Sequence, residues 1–74
     1  MSVVKAEYLN DYKLSLTFSD GTNNIIDFQQ KLEAHAIYKP YLKMNNFLKF
    51  KVDHGALRWP GNVLDFHYTQ LLKM

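Results

Sequence analysis

The chain has no cysteine among its 74 residues. Disulfides, thiolate metal ligands and a cysteine nucleophile are excluded together, and so is the bridge-held fold of a small secreted domain. Glycine and proline are scarce, at three and two residues, and no linker, repeat or low-complexity tract interrupts the chain. No apolar run approaches the roughly 20 residues of a membrane helix. The opening MSVVKAEYLND lacks the apolar core of a signal peptide. Charge of one sign is also missing. Nine Lys and Arg against seven Asp and Glu leave a net charge of +2, which is not the footprint of a dedicated nucleic-acid binder. These absences lead us to expect one cytoplasmic domain spanning residues 1–74, with no membrane partner.

Aromatic side chains are what the chain does have. Five Phe, five Tyr and one Trp make up 15% of it. A chain this short buries only about 60% of its unfolded surface, so large rings must supply much of the core. A partner chain or a second copy is a further source of stability.

The segment from Tyr12 to Phe28 (YKLSLTFSDGTNNIIDF) reads as a β-hairpin. Tyr12, Leu14, Leu16 and Phe18 alternate with Lys13, Ser15 and Thr17, and Asp20-Gly21 separates them from a second extended run. A three-residue loop, Ser19-Asp20-Gly21, sets Leu14 opposite Ile26 and Tyr12 opposite Phe28. A two-residue turn would set Leu14 opposite Asp27, so apolar matching selects the longer loop, with Gly21 as a left-handed bulge. An earlier strand is expected over Val3–Leu9 and a turn at Asn10-Asp11. The same matching selects a loop of Leu9-Asn10-Asp11, with Tyr8 opposite Tyr12 and Ala6 opposite Leu14. The expected meander buries Tyr12, Leu14, Leu16, Phe18, Ile26 and Phe28, and places Val3 and Ile25 on its other face.

The period then changes. Phe28, Leu32 and Ala36 lie four apart, which predicts a short helix capped by Asp27 and stopped at Tyr38-Lys39-Pro40. Tyr41–Lys49 is expected to be a second helical or turn segment, with Asn45 or Asn46 as a cap. Phe50–Val52 and Ala56–Trp59 read as a second hairpin, Pro60-Gly61-Asn62 as a turn, Val63–Phe66 as an edge strand and His67–Met74 as a short C-terminal helix. The fold class expected is α+β: a three-stranded antiparallel meander, a short helical connection, a second β-hairpin and a C-terminal helix or tail.

The order of these signals resembles a small bacterial family, domain-of-unknown-function family 2442. The resemblance rests on LNDYKLSLTFSDG (Leu9 to Gly21), Ile26-Asp27-Phe28 with Leu32, Phe47, FKVDHGALRWPGN (Phe50 to Asn62) and Leu64-Asp65-Phe66. The Phe-Ser-Asp-Gly turn alone is common; its pairing with the later Trp-Pro turn is more specific. At the C-terminus the family often carries an acidic-Pro segment, where this chain has His67-Tyr68-Thr69-Gln70. The resemblance implies an α+β domain with no established activity. Relatives occur alone, fused to a helix-turn-helix domain, or encoded beside a partner resembling the toxin of a toxin–antitoxin pair. The 74 residues contain no helix-turn-helix module, so DNA binding that belongs to that module is not carried over; partner binding is.

The candidate chemistry is sparse. His35, His54 and His67 form no metal-ligand spacing, so no metal or cofactor is expected. Asp53-His54 invites an acid–base reading, with Asp20 as a nearby carboxylate. A catalytic site needs a convergent set in a cleft, however, and Asp53-His54-Gly55 reads more simply as a turn. No enzyme activity and no small-molecule ligand are expected. Lys49, Lys51 and Arg58 are the most interesting charges. A three-residue loop in the second hairpin would separate Arg58 from the lysines. A two-residue His54-Gly55 loop pairs Lys51 with Arg58, Val52 with Leu57 and Phe50 with Trp59, which is the better apolar match. The resulting basic face could take phosphates or an acidic partner, although edge lysines also simply discourage aggregation. Trp59 reads as a core ring first and a stacking platform second. The expected function is a small non-enzymatic protein-interaction module, antitoxin-like or a regulatory accessory, that could homodimerise by sheet extension. Its expected contact residues are Lys49, Lys51, Arg58 and Trp59. Nucleic-acid binding through the same basic face is the rival reading.

Overall fold

The computed structural model describes residues 1–61 and 64–73. Strands β1 (Val3–Asn10), β2 (Lys13–Phe18) and β3 (Asn23–Asp27) form an antiparallel sheet in the order β1-β2-β3. Helix α1 (Gln29–Ala34), a 3₁₀ helix (Ala36–Leu42) and helix α2 (Met44–Phe47) make the connection. Strands β4 (Lys51–Asp53), β5 (Ala56–Arg58) and β6 (Asp65–Phe66) form a second antiparallel sheet, and α3 (Tyr68–Leu71) follows. The fold class is α+β, as the sequence pattern implies. Asn62, Val63 and Met74, which fall in the expected turn, edge strand and tail, lie outside the described residues.

The β2–β3 register is the expected one. Leu14 faces Ile26, and the ladder runs without a shift from Lys13↔Asp27 to Thr17↔Asn23. Phe18 closes the turn by accepting from the Gly21 N–H at 2.9 Å and donating to the Thr22 carbonyl at 2.9 Å. Gly21 has φ +88°, so it supplies the left-handed step that a three-residue hairpin loop requires.

The β1–β2 register corrects the expectation by two residues. Tyr8 faces Leu14, not Tyr12, and Ala6 faces Leu16, not Leu14. The turn is Asp11-Tyr12, with Asp11 at φ 46°. Register shifts flank Val4 and Leu9, one extra β1 residue each time. Bulges of this kind bend a strand and leave one residue unpaired. The Val4 bulge also reverses the inside–outside alternation. Val3 is therefore 1% exposed and belongs to the core, contrary to its expected place on the outer face, while Ile25 remains outside at 65%.

Helix α1 begins where the Asp27 carboxylate accepts the Gln29 N–H at 2.9 Å and ends earlier than expected, with extended His35. It survives by burying Leu32, since a helix this short has little intrinsic stability. Asn45 and Asn46 lie inside α2 and do not cap it; the cap position is Lys43. One core joins both sheets and the helices: Val3, Leu14, Leu16, Phe18, Ile26, Phe28, Leu32, Phe47, Leu57, Trp59, Leu64, Phe66 and Leu71. Edge-on and tilted aromatic contacts organise it. Phe47 lies 5.7 Å from Trp59 and 5.2 Å from Tyr12, and Phe28 lies 5.8 Å from Trp59 and 5.3 Å from Phe66. The Val3 N–H donates to the Gly55 carbonyl at 2.9 Å, which ties the start of the meander to the tip of the second hairpin. Leu71 buries the C-terminal helix, and Tyr68 meets Phe18 edge-on at 5.2 Å.

Candidate functional site

The second hairpin turns through His54 and Gly55, at φ 51° and φ 77°. Two consecutive left-handed residues suit a two-residue hairpin connection, and the register is the one that apolar matching selects: Lys51↔Arg58, Val52↔Leu57 and Asp53↔Ala56. Lys49 and Lys51 are exposed. Arg58 is not a third free cation. Its Nη1 lies 3.3 Å from Asp53 Oδ2, and its Nε lies 3.7 Å from Asp65 Oδ2. The guanidinium thus sits between two carboxylates on β4 and β6. Trp59 is 2% exposed and donates its indole N–H to the Phe47 carbonyl at 2.7 Å. It supports the surface from below and offers no face for a ligand to stack on.

Above Trp59, the 3₁₀ helix and α2 meet the turn that follows β5. They enclose an open cleft of about 290 Å³ lined by Ile37, Pro40, Tyr41, Asn46, Lys49 and Pro60. Its construction follows from Pro40. Pro40 has no N–H, so the 3₁₀ helix lacks one bond to its preceding turn, but the proline carbonyl remains an acceptor. The Pro40 carbonyl accepts from the Asn46 side-chain amide at 3.0 Å and the Lys43 N–H at 3.3 Å, which folds α2 back against the 3₁₀ helix. The Tyr41 hydroxyl donates to the Pro60 carbonyl at 2.9 Å, and its ring meets Trp59 at 6.4 Å. Opposite walls are thus held by one tyrosine. Ile37 projects at the rim, 61% exposed. Such a surface can accept an apolar side chain between prolines and tyrosine, with one ammonium group for a negative neighbour. Other depressions lie beside α1, lined by Asp27, Gln30 and their neighbours, with no aromatic residue in their lining.

The titratable side chains do not converge there. His35 meets Tyr38 edge-on at 5.6 Å, His54 lies 2.9 Å from Asp53 and His67 lies 3.9 Å from Asp65. Asp20, read as a possible partner of Asp53-His54, is engaged in its own loop. It accepts from the Thr22 hydroxyl at 2.7 Å and the Thr22 N–H at 3.0 Å, and these bonds hold its carboxyl below the ordinary aspartate value. Among the described residues no group of three or more His, Asp or Glu could hold a metal ion.

Of the four contact residues expected from sequence, Lys49 lies in the cleft, Lys51 lies on the neighbouring strand, Arg58 is engaged with carboxylates and Trp59 is underneath. Ile37, Pro40, Tyr41, Asn46 and Pro60 were not expected as site residues. Pro40 and Pro60 carried only a stop and a turn signal in the sequence, and their proximity is a tertiary fact.

The model of the family described as "Protein of unknown function (DUF2442)" matches residues 3–73, and the chain belongs to that family. Neither the curated proteins nor the solved structures include a match to the chain. Among the described residues, no helix is long and apolar enough to cross a membrane.

Proposed function

We propose that this member of the family is a cytoplasmic, non-enzymatic protein-interaction module that docks an acidic peptide segment, one apolar residue of which enters the cleft between Pro40 and Pro60. The observation that carries the reading is the cleft itself: apolar walls with Lys49 as its lining cation. Charge complementarity names the occupant. From Ala34 to Val52 the chain carries Lys39, Lys43, Lys49 and Lys51 and no carboxylate. Complementary potential of this kind favours acidic partners and repels basic ones. An antitoxin-like or regulatory accessory role would use the same contact, by occupying a surface of the partner.

A photo-crosslinking residue placed at Ile37 tests this in the host cell, with the same residue at Gln30 as the control. The expected result is one discrete adduct at Ile37 whose partner carries an acidic segment, and none at Gln30. Equal labelling at both positions, or none at Ile37, would reject the reading.

Nucleic-acid binding through the lysines is the second reading. It predicts an affinity that falls steeply with salt. The engagement of Arg58 with two carboxylates leaves it without its third cation, so the peptide reading is preferred.

A further inference from the structure

The two edges of the meander differ. The β1 edge carries bulges at Val4 and Leu9 and is tied to the second hairpin by the Val3–Gly55 hydrogen bond. Bulges, lysines and prolines are the usual devices that keep a sheet edge from pairing. The β3 edge has none of them. Its sequence is Asn23-Asn24-Ile25-Ile26-Asp27, and its ladder to β2 has no register shift.

The hydrogen-bond phase fixes which groups are free. Phe18 donates to Thr22, and Phe28 donates to Tyr12. Hydrogen-bonded pairs alternate along an antiparallel ladder, so Asn24 and Ile26 bond toward β2. The N–H and C=O groups of Asn23, Ile25 and Asp27 therefore point away from the sheet. Those three residues share the outer face of the strand and are exposed; on the inner face Ile26 is buried and Asn24 is exposed.

The geometry points to pairing with a second copy of this chain, β3 against β3, antiparallel about a two-fold axis through Ile25. In that register Ile25 faces Ile25 of the other copy, and Asn23 faces Asp27. Every outward backbone group of the strand then has a partner. No like charges are opposed, since Asp27 meets an amide. The exposed Ile25 side chains meet across the axis, which removes the most exposed large side chain of the strand from water. Isologous self-complementarity of this kind is what a two-fold dimer demands, and the result is a continuous six-stranded sheet. A single strand pair is a small interface beside the roughly 1,600 Å² of a standard-size complex, so the dimer is weak, with dissociation on the order of 0.1–1 mM.

Sedimentation equilibrium of the purified chain up to about 2 mM, a concentration set by that affinity, tests the proposal. The expected mass rises from 8.7 kDa toward the dimer value, and amide exchange at Asn23, Ile25 and Asp27 slows as concentration rises. Ile25→Lys should weaken association about tenfold or more, because it opposes two ammonium groups at the axis. Ile25→Pro removes an outward N–H without breaking a bond to β2, so it should stay folded and monomeric. A mass that stays at 8.7 kDa over the whole range would overturn the proposal. So would undiminished association of a folded Ile25→Lys chain. The cleft at Ile37 takes no part in this interface, so the two readings fail separately.

Discussion

The Trp59 indole donates to the Phe47 carbonyl at 2.7 Å, across a fully buried contact between the second sheet and the end of α2. This single bond lies outside the cleft lining, whose Tyr41 meets the Trp59 ring at 6.4 Å. It joins the strand that leads to Pro60 to the helix that precedes Lys49. Trp59→Phe keeps a ring but leaves that carbonyl without its donor. A buried polar group left unsatisfied costs about 1–3 kcal/mol, and urea denaturation should report a loss of that size. Trp59→Ala removes the ring as well, at about 3–5 kcal/mol, and should leave the chain largely unfolded.

The tips of the two hairpins differ in what surrounds their glycines. A Cβ on Gly21 would meet nothing within 4 Å, whereas one on Gly55 would lie 2.6 Å from the Ser2 Cβ. Both residues have left-handed φ, at +88° and +77°, where a side chain costs about 1–2 kcal/mol. Gly21→Ala should show that cost alone. Gly55→Ala should cost clearly more in urea denaturation, and adding Ser2→Gly should recover the difference between the two.

Arg58 holds Asp53 and Asp65 together across three strands. Arg58→Met retains the aliphatic packing and leaves two carboxylates facing each other. The pairs are partly exposed, so the expected loss is about 1 kcal/mol, measured by chemical denaturation at neutral pH and low salt. Adding Asp53→Asn should return part of it. High salt should shrink the difference between Arg58→Met and the parent chain.

The Asp20 loop carries a pH signature. The Thr22 hydroxyl, and then the Thr22 N–H, stabilise the ionised carboxylate and lower its titration point. A depressed folded-state value means that the stabilisation is present above the unfolded-state value and is lost as pH falls through the folded one. The loop should therefore loosen only on the acid side of the ordinary aspartate range. Carboxyl-detected NMR titration of Thr22→Val should move Asp20 back toward that range, with the backbone bond keeping part of the shift.

Sequence periodicity carried parts of this structure and missed others for identifiable reasons. In β2 and β3, strict alternation and a Gly-containing loop leave one apolar register, and Leu14 meets Ile26 as expected. In β1, a slide of two residues preserves every inside–outside assignment, so Ala6 opposite Leu14 and Ala6 opposite Leu16 satisfy the pattern equally. Bulges at Val4 and Leu9 decide between them, and neither residue announces a bulge. The same bulge turned Val3 inward. The second hairpin was legible because Phe50, Val52 and Leu57 match in only one register. The cleft was not, apart from Lys49. It depends on Tyr41 reaching Pro60 across 19 positions of sequence, a contact that no local period encodes.

The central claim is that a partner docks in the cleft between Pro40 and Pro60. The most direct measurement is calorimetric affinity between the purified chain and the partner captured at Ile37. It should be made for the parent, Ile37→Asp, Lys49→Glu and the distant control Gln30→Glu. The account predicts that Ile37→Asp weakens binding about tenfold or more, as loss of a central apolar contact does. Lys49→Glu should weaken it more at low salt than at high salt, and Gln30→Glu should leave it unchanged. Parent-like affinity in both cleft variants, with their folds intact, would contradict it.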